Sequence, residues 1–179
     1  AELVGPAAHV KTALLCLDMH LPSVARSALD LAVFDPDAAD AGLRDDERLV
    51  HKLCLARAAF LEAKAGATNE TSRRNPSGGD DDDDDEPDGF VANDEQSSAR
   101  FDVAFGFIMD ALGIDATDPR PFELLGDAHA HEARFTEAEE AYTHAMACSG
   151  QKGKPPASLK LFLNLGMCLL KNGKFADAR

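Results

Sequence analysis

The sequence predicts an all-α chain whose helical hairpins follow one another as a solenoid, interrupted by one acidic insert. Apolar residues recur at spacings of three and four, and no stretch alternates with the period of two that a β-strand shows. Small residues also recur at fixed offsets along the chain. The 179 residues include no Trp and a single Tyr, so the core must be built from small, closely approaching surfaces.

The charge and hydropathy of the chain argue against two classes of partner. Its 18 Lys and Arg residues against 32 Asp and Glu residues give a formal net charge of −14, which disfavours a nucleic-acid surface. No apolar run reaches the roughly 20 residues that a membrane-spanning helix needs. We therefore expect other proteins as partners, with no nucleic acid and no membrane.

The first helices are predicted within residues 1–66. Pro6–Met19 and Pro22–Phe34 each open with a proline, which suits the first helical turn. Asp45–Ala65 carries apolar residues along one face, and Gly66 is its predicted C-terminal signal.

Residues 67–97 form the predicted insert. Eleven acidic residues, including the run Asp80–Asp85, lie there against Arg73 and Arg74. These charges repel one another, and the segment offers little apolar surface to bury. We predict a disordered acidic insert that lies between the two helices of the second pair.

Helical patterns resume after the insert. The predicted helices are Ser98–Leu112, Pro121–Glu132, Thr136–Cys148, Pro156–Lys171 and one that begins near Lys174.

One stretch, from Pro121 to Ala145, carries a recognisable motif. It places an aromatic residue, Leu-Gly, a small residue, a large aromatic residue and another small residue in order, as Phe122, Leu125-Gly126, Ala138, Tyr142 and Ala145. The stretch resembles the tetratricopeptide (TPR) repeat. His129 replaces the Tyr of that family, and Gly150 replaces its usual terminal Pro.

The motif recurs in both directions along the chain. It returns at Phe162, Leu165-Gly166, Phe175 and Ala178, and parts of it occur earlier at Ala104, Ile108, Ala111 and, more weakly, at Ala25, Leu29 and Ala32. Three repeats and a truncated fourth are therefore predicted. The segments are 1–66 with the N-terminal TPR-like helices, 67–97 as the insert, 98–118 with the second helix of the second repeat, 119–150 as one repeat, and 151–179 as the truncated repeat.

Small side chains explain why such a motif gives a solenoid. Gly126 with Ala138, and Gly166 with Ala178, are predicted to lie where two antiparallel helices approach. Large side chains are predicted to fill the space between successive pairs: Phe122, Tyr142, Phe162 and Phe175. Because one pair cannot cover its own apolar face, neighbouring pairs stack into a right-handed superhelix with a concave groove.

The resemblance implies that this groove, lined by the first helix of each pair, binds a segment of a partner protein. Where a TPR chaperone-tail clamp has basic and amide residues, this chain has Glu123 and Asp127, and only Lys160 and Asn164 fit the clamp. With His131 these are the predicted groove residues. They favour a basic or amphipathic segment over an acidic tail, the alternative being ordinary solvated helix faces.

Catalysis and metal binding are not predicted. No arrangement of Ser, His and Asp, of Cys and His, or of paired carboxylates points to an active site, so we expect a non-enzyme without a cofactor. His129, His131, His144 and Cys148 suggest a metal ligand set, but His129 occupies a packing position and His131 faces the groove. The prediction is therefore no metal.

The predicted function is a protein-interaction scaffold or adaptor within a larger complex. The alternative is a structural component of a large cytoskeletal assembly such as a ciliary or flagellar axoneme complex, and a third reading is a regulatory region of an enzyme. The four cysteines are widely spaced without a Cys-x-x-Cys pair, which favours reduced thiols and a cytoplasmic location, cytoskeletal or ciliary for the alternative. The ends of the sequence, Ala1 and Arg179, suggest a segment of a longer chain.

Overall fold

A computed structural model of the chain describes residues 6–32, 45–73, 94–151 and 153–174. All regular structure in these residues is helical, and no strand occurs among them. The helices are α1 (Pro6–Asp18), α2 (Pro22–Asp30), α3 (Asp45–Arg73), α4 (Asp94–Ile114), α5 (Pro119–His131), α6 (Phe135–Cys148) and α7 (Leu159–Lys171). The predicted all-α class is confirmed.

Each helix packs against the next one along the chain, from α1 to α7. Contacts between alternate helices join α1 to α3, α3 to α5, and α5 to α7. The odd-numbered helices therefore lie side by side.

The buried core is divided among groups of neighbouring helices. Ala13, Leu29 and Ala58 belong to a cluster formed by α1, α2 and α3. Clusters around Leu53 and Phe101 join α3, α4 and α5, and a further cluster around Tyr142 joins α5, α6 and α7.

Side-chain caps set where two helices begin. Asp118 accepts a 2.9 Å hydrogen bond from the Arg120 amide, so α5 starts at Pro119, two residues before the predicted start. The Ser158 hydroxyl accepts a 3.0 Å hydrogen bond from the Leu161 amide, so α7 starts three residues later than predicted.

Other helix ends differ from the predictions as well. α3 does not stop at Gly66 but continues to Arg73, because this glycine keeps a helical conformation instead of the left-handed one that terminates helices. α4 begins at Asp94 instead of Ser98, and α2 ends at Asp30 instead of Phe34. The predicted insert thus overlaps helix at both of its ends, and its centre, residues 74–93, lies outside the described residues.

The even-numbered helices bury the residues of the motif at the same spacing. A small residue, a large one and a small one are all buried in α2 with the turn that follows it, in α4 and in α6: Ala25, Leu29 and Ala32; Ala104, Ile108 and Ala111; Ala138, Tyr142 and Ala145.

The two motif glycines have different surroundings. A Cβ atom at Gly126 would lie 2.5 Å from Cε1 of Tyr142, so this glycine is required for the close approach of α5 and α6. Gly166 meets nothing within 4 Å among the described residues, and Phe162 is 54% exposed, so the prediction that Phe162 fills an inter-pair space is wrong here. Phe175 and Ala178 lie outside the described residues.

In the described part of the chain, no helix has both the length and the apolar character needed to cross a bilayer.

Candidate functional site

Two adjoining pockets form a groove along the odd-numbered helices. The larger, which we call the aromatic pocket, has a volume of about 450 Å³, and the smaller, the aliphatic pocket, has about 210 Å³. Asp127 and Lys160 line both pockets, so the two pockets share a wall and form one groove.

The aromatic pocket lies between α3, α5, α6 and α7. Its residues are Phe60, Lys64, Asp127, Ala130, His131, Phe135, Tyr142, Lys160, Asn164, Met167 and Cys168. The aliphatic pocket lies between α1, α3, α5 and α7. Its residues are Leu14, Leu17, Val50, Leu53, Cys54, Arg57, Arg120, Glu123, Leu124, Asp127 and Lys160. The five predicted groove residues all lie on these walls.

A single carboxylate, that of Asp127, joins three helices at the centre of the groove. Its Oδ1 accepts hydrogen bonds from the Tyr142 hydroxyl (2.7 Å) and from Nδ2 of Asn164 (2.9 Å). Its Oδ2 accepts a 2.5 Å hydrogen bond from Nζ of Lys160. Because the Asp127 side chain is only 11% exposed and its charge is paired, it does not present the free acidic surface on which the expected basic partner depended.

The same network perturbs Tyr142. Burial and the adjacent Asp127 charge raise the pKa of this phenol far above its ordinary value. The hydroxyl therefore stays protonated and donates to Asp127, while Asn164 Nδ2 also donates to its oxygen at 3.3 Å.

Glu123 lies one turn before Asp127 on α5 and is half-buried in the aliphatic pocket. Burial raises the pKa of its carboxyl group, and the nearby Lys160 opposes that rise. Lys160 therefore faces two carboxylates, of which Asp127 holds it by a direct hydrogen bond.

His131 belongs to an aromatic group, not to a cluster of charges. Its ring lies 5.4 Å from that of Phe60 in a T-shaped arrangement and stacks on Phe101 at 6.1 Å. Burial, followed by the positive charge of Lys64, lowers the pKa of His131. The imidazole is therefore neutral near pH 7 and contributes an edge of the pocket wall.

The cations of the groove differ in whether they are paired. Arg57 reaches Asp18 at 3.2 Å, and the Arg120 guanidinium binds Asp118 through two nitrogens at 2.9 Å. Lys64 is exposed, and none of the described residues forms an ion pair with it.

The other histidines of the sequence motif pack against aromatic rings. His129 lies 5.0 Å from Phe105, and His144 stacks on Phe122 at 5.5 Å. Within the described residues no group of three or more His, Cys, Asp or Glu side chains is arranged to hold a metal ion.

Sequence patterns missed part of the groove. Lys64, Phe135 and Met167 line the aromatic pocket but were not predicted as groove residues. Met167 is an exposed apolar residue one turn from Asn164, and this spacing was the one available signal. Nothing in the sequence placed Lys64 opposite α5 and α7.

Comparison of the chain with protein-family models, with curated proteins and with solved structures found no match.

Proposed function

We propose that this chain is a non-catalytic protein-interaction scaffold, a TPR-like right-handed solenoid that binds an amphipathic segment of a partner protein in its groove. The groove itself carries the proposal. It runs along four odd-numbered helices, combines two apolar pockets with a fixed polar centre, and leaves apolar side chains such as Met167 exposed.

The repeated packing supports the solenoid part of the proposal. Buried small–large–small triads recur in α4, in α6 and in α2 with the turn after it, and each core cluster is formed by neighbouring helices. Among the helices that the structure describes, contacts between alternate helices join only the odd-numbered ones. Stacked hairpins have these properties, because each pair buries its apolar face against the next pair.

The polar centre supports binding instead of simple solvation. Tyr142, Lys160 and Asn164 hold the Asp127 carboxylate from two other helices, so the walls of the groove are fixed before a partner arrives. A pre-organised surface loses less conformational entropy on binding than a mobile one.

Selection of short random peptides displayed on phage tests this function. We expect the 179-residue chain to enrich peptides whose binding weakens about tenfold in Met167→Gln, since a buried methionine contact would be lost. Met109→Gln is the matched control: Met109 is 61% exposed on α4, Met167 is 57% exposed, and Met109 lines neither pocket. Peptides that bind both variants equally would contradict a binding role for the groove.

The four cysteines are free thiols. This agrees with a reducing compartment, and we place the scaffold in the cytoplasm as part of the proposal.

A permanent structural part of a larger assembly is the second candidate. Five large apolar side chains of α7 are exposed, and their spacing of three and four residues places them on one side of the helix: Leu159, Phe162, Leu163, Met167 and Leu170. Surfaces of this kind pack against other protein in stable complexes. Sedimentation of the purified chain separates the two: a monomer that binds peptides supports the scaffold, and aggregation that Phe162→Gln relieves supports the structural part.

A further inference from the structure

We infer that the partner segment carries acidic side chains beside its apolar ones, and that one of its carboxylates pairs with Lys64 while an apolar side chain enters the aromatic pocket. This inference rests on the proposed function and specifies the partner. It reverses the charge preference that the sequence suggested.

The aromatic pocket is suited to an apolar side chain. Phe60, Phe135 and Met167 line it, and its volume is about 450 Å³. Four of its polar groups bond to one another, since the Asp127 carboxylate accepts hydrogen bonds from Tyr142, Lys160 and Asn164. An entering apolar group therefore need not leave these groups without partners.

The charge left over at this pocket is positive. Lys64 and Lys160 are its two cations, and Asp127 is its one anion. Because Asp127 is 11% exposed and pairs with Lys160, which is 62% exposed, the Lys64 ammonium remains as a cation that no described residue neutralises.

His131 does not change this balance. Its ring lies against Phe60 and Phe101, where it is neutral near pH 7, so it neither repels a basic segment nor binds an acidic one through charge. The unpaired Lys64 thus leaves a positive charge at this end of the groove.

A basic segment would meet the opposite situation. It would bring like charge to Lys64 and Lys160 and would compete with Lys160 for a carboxylate that already has three donors. Juxtaposed like charges disfavour a partner, and a paired rim charge favours it by a modest amount. Charge complementarity at Lys64 therefore points to an acidic amphipathic segment.

The peptide selection described above also tests this inference, with the charge of the enriched peptides as its readout. We expect groove-dependent peptides to combine large apolar residues with an excess of Asp and Glu. Lys64→Glu should weaken the binding of a representative acidic peptide about three- to tenfold. The same substitution should strengthen the binding of that peptide's Glu→Lys variant. Lys11→Glu is the matched control, because Lys11 is an exposed lysine of α1 that lines neither pocket.

The outcomes separate the two proposals. Peptides that depend on Met167 but are basic, or that ignore Lys64→Glu, overturn the acidic partner and leave the scaffold function standing. Absence of any peptide that depends on Met167, both in the unaltered chain and in a variant with Asp80–Asp85 replaced by Asn, overturns both. If such peptides appear only when Asp80–Asp85 are replaced by Asn, the acidic run of the chain itself is the occupant, and the inferred partner is overturned.

Discussion

The ring of Tyr142 lies so close to Gly126 that a Cβ atom there would be 2.5 Å from Cε1 and 2.6 Å from Cδ1. Tyr142 is 2% exposed and its hydroxyl donates a hydrogen bond to Asp127, so the ring cannot move away from α5 without losing packing and this bond. This one contact fixes the approach of α5 to α6 and the position of Asp127 in the groove.

Gly126→Ala should therefore destabilise the fold by about 1–3 kcal/mol, the usual cost of overpacking. Gly166→Ala is the matched control in α7, where the added methyl group meets nothing within 4 Å among the described residues. The control should be neutral or stabilise by up to about 1 kcal/mol, because alanine favours helix more than glycine does. Urea unfolding measures both, and equal effects would show that the Tyr142 contact is not tight.

Tyr142 can be titrated directly, since it is the only tyrosine and the chain has no Trp. Because burial and Asp127 raise the pKa of its phenol, tyrosinate absorption should develop well above pH 10.0 in the folded chain and near it in concentrated urea. Above pH 10.0 the folded chain therefore binds more protons than the unfolded chain. The stabilisation is complete below pH 10.0 and is lost as the pH rises above that value. Asp127→Asn should lower the folded midpoint. A midpoint near pH 10.0 in the folded protein would contradict the buried hydrogen bond.

Asp115 and Lys154 connect the loop after α4 to the loop before α7. Hydrogen bonds from Lys154 and Thr117 lower the pKa of Asp115 to about 2 from 3.8. The pair stabilises the fold at any pH above 3.8, the pKa of Asp115 in the unfolded chain. This stabilisation is lost as the pH falls from 3.8 toward 2. Lys154→Ala should cost about 1 kcal/mol near neutral pH and less in acid. Lys171→Ala, at an exposed lysine, should show no such pH dependence in urea unfolding.

His51 is 6% exposed, and its Nε2–H donates to the Leu29 carbonyl at 3.3 Å. Burial lowers the pKa of this imidazole below 6.5. Between the lowered value and 6.5 the unfolded chain binds more protons, so stability that is complete above pH 6.5 falls as the pH decreases.

His51→Leu should remove part of that dependence, although the lowered pKa values of His129 and His131 give a remainder of the same sign. Unfolding by urea at about pH 8 and about pH 5 measures the difference. An identical pH dependence in the variant and the original chain would show that His51 accepts a proton without cost to the fold.

The amino-acid sequence by itself determined the helical class and the buried small–large–small residues of α4, of α6 and of α2 with the turn after it. Both follow from spacing along one helix, because residues three and four apart share a face. Helix ends were less certain, as a cap such as Asp118 or a helical Gly66 depends on local hydrogen bonds that spacing does not reveal.

Only the tertiary structure decided the chemistry of the groove. Asp127 occurs in the sequence as one acid near another, Glu123, and its pairing with Lys160 and Asn164 joins residues 33 and 37 positions away. Lys64 enters the same pocket from α3. The net charge of a site depends on which side chains from separate helices come into contact. Periodicity within one helix carries no information about contacts between helices.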